Sequence, residues 1–305
     1  MPIRSISLLC RPDSESEISR IADYLLRKAG AVGKLPTPVG DLIALAGVED
    51  VPNSEVFKEH FLASLPQRAR AVFESAWQKI RGIADLRERA VYVPKTTTAP
   101  RVLFAKAHEL GHQVIPWQKL NRAYLDDKRS LTSAAEDLFD LEANFFAADV
   151  IFQGHRFANR VRDYAPSFDA VSLLADEHGA SKHATLHRYV EEHDETIAAI
   201  PYWPSFYTAD EDGYPVLRAG KVIGSPRFVR KYAGVQLPLE IRTGHEWAAA
   251  RDASQVCAGN IRLDCGAGPV NFRWQSWWNT YCLLVLLRRK PALSLVGRLV
   301  NDSNL

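Results

Sequence analysis

The sequence predicts an α+β fold, in which a helix-rich N-terminal domain with a small sheet is followed by a β-rich C-terminal domain. Apolar residues recur at helical spacing through most of the first 195 residues. One short stretch within that part, RERAVYVPKTT, carries β-branched residues that favour a strand. From Ile200 onward the chain is rich in turn residues, aromatic residues and short β-type runs. No internal repeat interrupts this division.

The first helices follow from the spacing of apolar residues. Residues 14–30, SESEISRIADYLLRKAG, have helical periodicity and end at Gly30, which is typical of a helix C-cap. A shorter helix is predicted at DLIALAGV, after a loop that contains two prolines. Residues 57–82 continue the helical pattern up to a glycine. The strand predicted at 90–93 then closes at Pro94.

Two longer helices come next. The first can start at Arg101 and stop near Ile115, because Pro116 disfavours helical geometry in the residue before it. The second opens with a capping-box pattern at Ser133 to Glu136 and runs to about Phe152. Residues 168–194 read as two further helices separated by Gly-Ala-Ser, a layout that resembles a helix-turn-helix.

These patterns predict three segments. Residues 1–165 are expected to form the first domain, with the helix pair of 166–199 packed on it, and 200–305 to form the β-rich domain. Within the last segment, VNFRW and TYCLLVLL are the clearest strand candidates.

Composition excludes several classes of function. The formal net charge is +2, so no global field attracts the chain to nucleic acid or to an acidic membrane. The four cysteines lack metal-binding spacing and are expected to be reduced thiols. No apolar run approaches the roughly 20 residues that a membrane helix needs, and the N-terminus lacks a signal-peptide core. We expect a cytoplasmic protein.

The stretch AKAHELGHQV, residues 105–114, carries the strongest functional pattern. His108 and His112 are four residues apart, so their imidazoles project from one helix face and can bind a single tetrahedral ion. Glu109 lies beside that face, where it can take a proton from a water molecule activated by the ion. The pattern predicts a zinc peptidase site that needs a third protein ligand.

The helix predicted at 133–152 offers that ligand. Asp140 and Glu142 are two positions apart, about 200° around a helix, so they cannot both face one ion. Two apolar stripes flank Asp140 and Asn144, which predicts a buried face for these two and the opposite side for Glu142, Asp149 and Gln153. We therefore predict Asp140 as the third ligand and Glu142 as the alternative. Asn144 is predicted to hydrogen-bond a ligating group.

These residues resemble the ImmA/IrrE metallopeptidases, in which HELGH is followed by a helix of the type E-x-E-A-N-x-F-A-A. Here that helix reads DLEANFFAA, residues 140–148, and the resemblance extends from about residue 20 to 195. It implies a zincin-like domain, zinc on His108 and His112, Glu109 as general base, and a third carboxylate at Asp140. The family usually has Glu where this chain has Asp140.

The resemblance also implies a function. Members of the family cleave or otherwise inactivate a helix-turn-helix repressor, which derepresses stress or mobile-element genes. A protein substrate of that kind is therefore the expected partner. Zn²⁺ is the expected metal, although two His and one carboxylate also suit Mn²⁺ or Fe²⁺. Five side chains that follow the metal-binding helices could reach the site and complete the stabilisation of the oxyanion: His155, His178, His183, His187 and Tyr189.

Two other hypotheses remain open. The helix pair of 168–194 suggests a metal-containing DNA-binding or protein-binding regulator without peptidase activity. Its second helix carries Lys182 and Arg188 but ends in acidic residues that repel phosphate, so no direct nucleic-acid binding is expected. Alternatively, 200–305 is a sensor or docking module with a pocket formed by Trp274, Trp277, Trp278 and Tyr281.

Overall fold

The computed structural model of the protein describes residues 11–51, 83–85, 90–92, 98–118, 133–253 and 255–289. Helices and a large antiparallel sheet occupy these ranges, which confirms the α+β class. The described residues form two compact units. The N-terminal unit contains those between 11 and 160 and between 173 and 181, and the C-terminal unit contains 161–172 and those from 182 onward.

Seven helices are described before residue 197. Their bounds agree with the sequence pattern for the first long helix, for the two that carry the motif residues, and for the pair separated by Gly179. The helix predicted at 57–82 lies outside the described residues. The seven are α1 (Glu15–Lys28), α2 (Val39–Leu45), α3 (Ala99–Val114), α4 (Ser133–Phe152), α5 (His155–Val161), α6 (Phe168–His178) and α7 (Lys182–Glu192).

A three-stranded sheet belongs to the N-terminal unit. Its strands are β1 (Glu49–Val51), β2 (Ile83–Asp85) and β3 (Ala90–Tyr92), in the order β1-β3-β2. β1 pairs with β3 in parallel, and β2 pairs with β3 antiparallel. The helix α3 packs against β2 and β3, so the small sheet supports the helix that carries HELGH.

The helices α3 and α4 approach closely at Gly111. A Cβ atom at this position would lie 3.0 Å from Phe146 Cδ1 and 3.3 Å from Ala143 Cα. These distances are shorter than normal carbon contacts of about 3.5–4.0 Å, so glycine allows the two backbones to approach. α4 also packs against α1, which leaves few of its residues facing solvent.

The C-terminal end of α4 is anchored by Gln153, which is 2% exposed. Its Oε1 accepts a hydrogen bond from the Gly33 amide at 2.8 Å. Its Nε2 donates to the carbonyls of Ala31 and Lys34 at 3.2 and 2.9 Å. The side chain therefore satisfies backbone groups of the loop between α1 and α2 and fixes that loop against α4.

The C-terminal unit is built on a seven-stranded antiparallel sheet. Six strands follow the order β7-β5-β4-β10-β9-β8, and the seventh, β6, pairs with β4. The predicted run VNFRW lies in β9, and the LLVLL part of the predicted run TYCLLVLL lies in β10. The strands are β4 (Ile197–Ala209), β5 (Pro215–Ala219), β6 (Ile223–Gly224), β7 (Glu240–Ile241), β8 (Cys257–Asp264), β9 (Pro269–Trp278) and β10 (Leu283–Arg289).

One face of this sheet carries the core of the unit. Tyr202, Trp247, Phe272 and Trp274 are buried there, and the short helix α8 (Pro226–Tyr232) adds Phe228. The cysteines of this unit, Cys257, Cys265 and Cys282, form no disulfide, in agreement with the expected reduced thiols.

The helix α7 packs against β4 and β6, within the C-terminal unit. The division into units therefore differs from the expected packing of 166–199 on the first domain. Ser225 is one reason, because its hydroxyl donates to the Glu195 carbonyl at 2.7 Å just after α7 ends. No helix in the described part of the chain is long and apolar enough to cross a membrane.

Candidate metal centre

The two histidines of HELGH lie on one face of α3, as their spacing predicts. Their rings are nearly perpendicular, with centroids 4.7 Å apart. The two Nε2 atoms are 3.1 Å apart. His112 is buried and His108 is half-buried, so the pair lies at the edge of the interior.

The tautomer of His112 is fixed by Gln118. The Gln118 Nε2 donates to the Phe139 carbonyl at 3.1 Å and to Glu142 Oε2 at 2.7 Å, and both of these groups are acceptors. The other end of the amide, Oε1, therefore faces His112 Nδ1 at 2.7 Å. Because a carbonyl oxygen can only accept, Nδ1 carries the proton and Nε2 presents its lone pair.

His108 has a corresponding arrangement. Its Nδ1 lies 3.1 Å from Asn144 Oδ1, which accepts a hydrogen bond from it. With Nδ1 protonated, His108 Nε2 also presents a lone pair. Two lone pairs then face each other at 3.1 Å. Without a shared proton this contact is repulsive, and a metal ion between the two nitrogens removes the repulsion.

Asp140 completes the group. Its Oδ1 lies 3.6 Å from His112 Nε2. Ligand atoms of His108, His112 and Asp140 all lie within 4.8 Å of one another. Tetrahedral zinc with bonds of about 2.0–2.2 Å places neighbouring ligand atoms about 3.4 Å apart. The distances of 3.1 and 3.6 Å bracket that value, so these residues are suitable ligands for one metal ion.

The prediction that Asp140 and Asn144 lie on the buried face of α4 was wrong. The Asp140 side chain is 65% exposed and Asn144 is also exposed, whereas Glu142 is 4% exposed. α4 contacts α1 on the side that the sequence pattern assigned to solvent. Asp140 thus forms a group with the two histidines, but the reason given for choosing it does not hold.

Glu142, the alternative ligand, lies outside this group among the described residues. Its Oε1 accepts a hydrogen bond from Ser14 Oγ at 2.6 Å. Its Oε2 accepts from Trp117 Nε1 at 2.8 Å and from Gln118 at 2.7 Å. Sequence reasoning missed Ser14, Trp117 and Gln118 because they lie beyond a helix end or far along the chain, where no periodicity applies.

Glu109 lies next to His108 on α3 and is 7% exposed. No ligand atom of Glu109 belongs to the group formed by the histidines and Asp140. Glu109 is therefore not one of the ligands that this group supplies.

Comparisons with known proteins give the fold but no family. No family model and no curated protein matches the chain. A solved structure of a Mycobacterium tuberculosis transcriptional regulator is similar, with a TM-score of 0.53 and 12% sequence identity. The match covers 89% of this chain and 75% of that chain. At this identity the likeness concerns the fold alone.

The other candidate side chains belong to no metal-binding group among the described residues. His178 is buried, and its Nδ1 lies 3.1 Å from the Ile151 carbonyl. In the C-terminal unit, burial lowers the pKa of His183. Burial, with additional effects of His183 and Lys221, lowers the pKa of His187 to about 3. Burial likewise raises the pKa of Tyr189.

The tryptophans near the C-terminus do not line one common pocket. Trp274 is buried in the sheet core, Trp277 contacts Lys182 and Phe168, and Tyr281 is 63% exposed. Successive residues of a strand point to opposite faces, which separates Trp277 from its neighbours. A separate cleft of about 190 Å³ is lined by Tyr214, Thr243, Gly244, His245, Glu246, Ala248, Ala249 and Arg251.

Proposed function

We propose that this protein is a zinc-dependent endopeptidase with a zincin-like N-terminal domain. The observation that carries the proposal is the convergence of His108, His112 and Asp140, with both histidines on the helical turn that also contains Glu109. Three protein ligands with an open fourth position are typical of catalytic rather than structural zinc sites. The exposed Asp140 side chain leaves that position accessible from solvent.

Each residue has a defined role in this proposal. His108, His112 and Asp140 would hold the ion, and Gln118 and Asn144 orient the two imidazoles. A bound zinc ion supplies Lewis-acid activation of a water molecule and of the scissile carbonyl. Glu109 would accept the proton of the attacking water and pass it to the leaving amine, so that one group acts first as base and then as acid.

The substrate class that we propose is a helix-turn-helix transcriptional repressor. It rests on the resemblance of HELGH and of DLEANFFAA, residues 140–148, to the ImmA/IrrE metallopeptidases. Cleavage or inactivation of such a repressor in the cytoplasm would derepress stress or mobile-element genes. The C-terminal unit would then serve as the sensor or docking module.

Metal content and cleavage test the proposal together. Wild-type protein purified without added metal is expected to contain about one zinc ion, and Asp140→Ala to lose it. Glu109→Gln should retain zinc but cleave a peptide library at least about a hundredfold more slowly, because it lacks a general base. Mass spectrometry measures both. Equal cleavage by Glu109→Gln and wild type would contradict the proposed mechanism.

The second candidate is a transcriptional regulator without peptidase activity. The name of the similar M. tuberculosis structure favours it. The helix pair α6–α7 argues against DNA binding through α7, since Arg188 is buried and pairs with Glu192 at 3.1 Å. Lys182 lies over the Trp277 ring at 4.7 Å. Titration of labelled duplex DNA at low salt, followed by fluorescence anisotropy, is expected to give no saturable binding.

A further inference from the structure

Glu142 is a buried carboxylate whose hydrogen-bond partners are all neutral. Only 4% of the residue is exposed. A serine hydroxyl, an indole N–H and an amide N–H donate to its two oxygens, from Ser14, Trp117 and Gln118 respectively. Three donors therefore converge on the two oxygens of one buried carboxylate.

No cationic side chain pairs with this carboxylate among the residues that the structure describes. Burying an ionised carboxylate without an opposite charge is strongly unfavourable, and hydrogen bonds offset only part of that penalty. A cation in the candidate centre formed by His108, His112 and Asp140 would supply such an opposite charge.

A continuous hydrogen-bonded path links Glu142 to that centre. Gln118 donates to Glu142 Oε2 at 2.7 Å and accepts from His112 Nδ1 at 2.7 Å. His112 Nε2, on the opposite side of the same ring, points into the centre. A carboxylate that accepts from the amide polarises it, and the amide in turn makes His112 a stronger electron donor to a cation.

We infer that Glu142 is the buried counter-charge of the cation held by His108, His112 and Asp140, and that it positions His112 through Gln118. The inference rests on the metal site of the proposed function. It also explains why Glu142, which is not a ligand, is buried two residues from Asp140, the proposed ligand.

The test is Glu142→Gln, which removes the charge and keeps the shape. The new carbonyl oxygen can accept from Trp117 and Gln118, and the new amide can donate to the Ser14 hydroxyl. Asp149→Asn is the matched control. Asp149 lies on the same helix, is 3% exposed and accepts a hydrogen bond from Ser19 of α1 at 2.5 Å.

Zinc affinity and the melting temperature of the zinc-free protein are measured for both variants. Glu142→Gln is expected to bind zinc about tenfold more weakly than wild type. Its zinc-free melting temperature should equal or exceed that of wild type, because a neutral amide is easier to bury than an unpaired charge. Asp149→Asn should bind zinc as wild type does. A merely structural Glu142 would instead lower the zinc-free melting temperature and leave zinc affinity unchanged, which would overturn the inference.

Gln118→Leu provides a second measurement that keeps Glu142 itself. This substitution breaks the path, so zinc affinity should again fall about tenfold, and adding Glu142→Gln should weaken it little further. Full additivity of the two losses would show that Glu142 does not act through Gln118. If wild type binds no zinc, the proposed function fails as well. If wild type binds zinc and Glu142→Gln binds equally well, only this inference fails.

Discussion

The two imidazoles of the centre are oriented by amide oxygens in very different surroundings. Gln118 is fully buried and anchored at both ends of its amide group. Asn144 is exposed and accepts from His108 Nδ1 at 3.1 Å. Because Asn144 is at the surface, replacing it tests the orientation of His108 without disturbing the interior.

We expect Asn144→Ala to weaken zinc binding about tenfold, since His108 loses the acceptor that keeps the proton on Nδ1. Asn144→Asp should retain affinity, because a carboxylate also accepts that proton. Competition with a chromophoric chelator measures both. The melting temperature of the zinc-free protein should change little in either variant, and an unchanged affinity in Asn144→Ala would show that His108 needs no such partner.

At this scale the sequence was informative where spacing determines geometry. His108 and His112 converge because four residues make about one helical turn, and no other part of the chain is needed for that. Gln118 could not be predicted, because it contacts His112 only after Pro116 has broken the helix. Ser14 reaches Glu142 across 128 residues of sequence, and no local pattern indicates such a contact.

At the scale of elements, α4 shows where periodicity fails. Its bounds were predicted correctly, but its faces were not. The helix is apolar on most sides and packs against both α3 and α1, so the apolar stripes do not identify one buried direction. One side of α4 and its C-terminal end carries Glu142, Asp149 and Gln153. Hydrogen bonds to these residues come from Ser14 at the N-cap of α1, from Ser19 within α1, and from the loop that follows α1. Polar residues on a helix therefore indicated a second packed surface here.

The close approach of α3 and α4 at Gly111 leads to a prediction for Gly111→Ala. The added methyl would lie 3.0 Å from Phe146 Cδ1 and 3.3 Å from Ala143 Cα, so these neighbours must shift by a few tenths of an ångström. Overpacking of this kind costs about 1–3 kcal/mol of stability. Asp140 is on α4 and the histidines are on α3, so we also expect weaker zinc binding.

Gly40→Ala is the control for that experiment. Gly40 lies in α2, and a Cβ atom there would meet nothing within 4 Å. Alanine should leave stability unchanged or raise it by up to about 1 kcal/mol through its higher helix propensity. Urea unfolding and zinc titration on both variants make the comparison. Equal stability of Gly111→Ala and wild type would show that α3 and α4 accommodate the added methyl group without strain.

At the scale of the whole molecule, the chain divides at positions that composition alone does not mark. The change to β-type texture near residue 200 was recognisable, and β4 begins at Ile197. The assignment of α7 to the C-terminal unit depends on its packing against β4 and β6. The strand order places β10 between β4 and β9, so β10 pairs with a strand that is distant in sequence. The hydrophobic pattern of a single strand does not indicate which distant strand it pairs with.

The packing of α7 against β4 and β6 partly buries two histidines of the C-terminal unit. The rings of His183 and His187 lie 4.5 Å apart on α7, and Trp203 of β4 contacts His183 edge-on. Their Nε2 atoms are buried and have no hydrogen-bond partner among the described residues. Burial, followed by the charges of His183 and Lys221, lowers the pKa of His187 to about 3, from an ordinary value of 6.5.

This lowered pKa predicts that the C-terminal unit loses stability in acid. Between pH 6.5 and about 3 the unfolded chain binds a proton at His187 that the folded protein does not bind. The stabilisation is therefore complete above pH 6.5 and declines as the pH falls through that window, by at most about 1.4 kcal/mol per pH unit for one group. His183, whose pKa is also lowered by burial, adds to the effect in the same direction.

Urea unfolding from pH 7.5 to 4.5, with a chelator present, measures this dependence. Tryptophan fluorescence is a suitable signal because five of the seven tryptophans follow residue 200. His187→Gln, which does not titrate, should decline less steeply than wild type, by about 1 kcal/mol per pH unit. His155→Gln, at an exposed histidine, should follow the wild-type curve. Parallel curves for wild type and His187→Gln would mean that His187 becomes protonated without a cost to the fold.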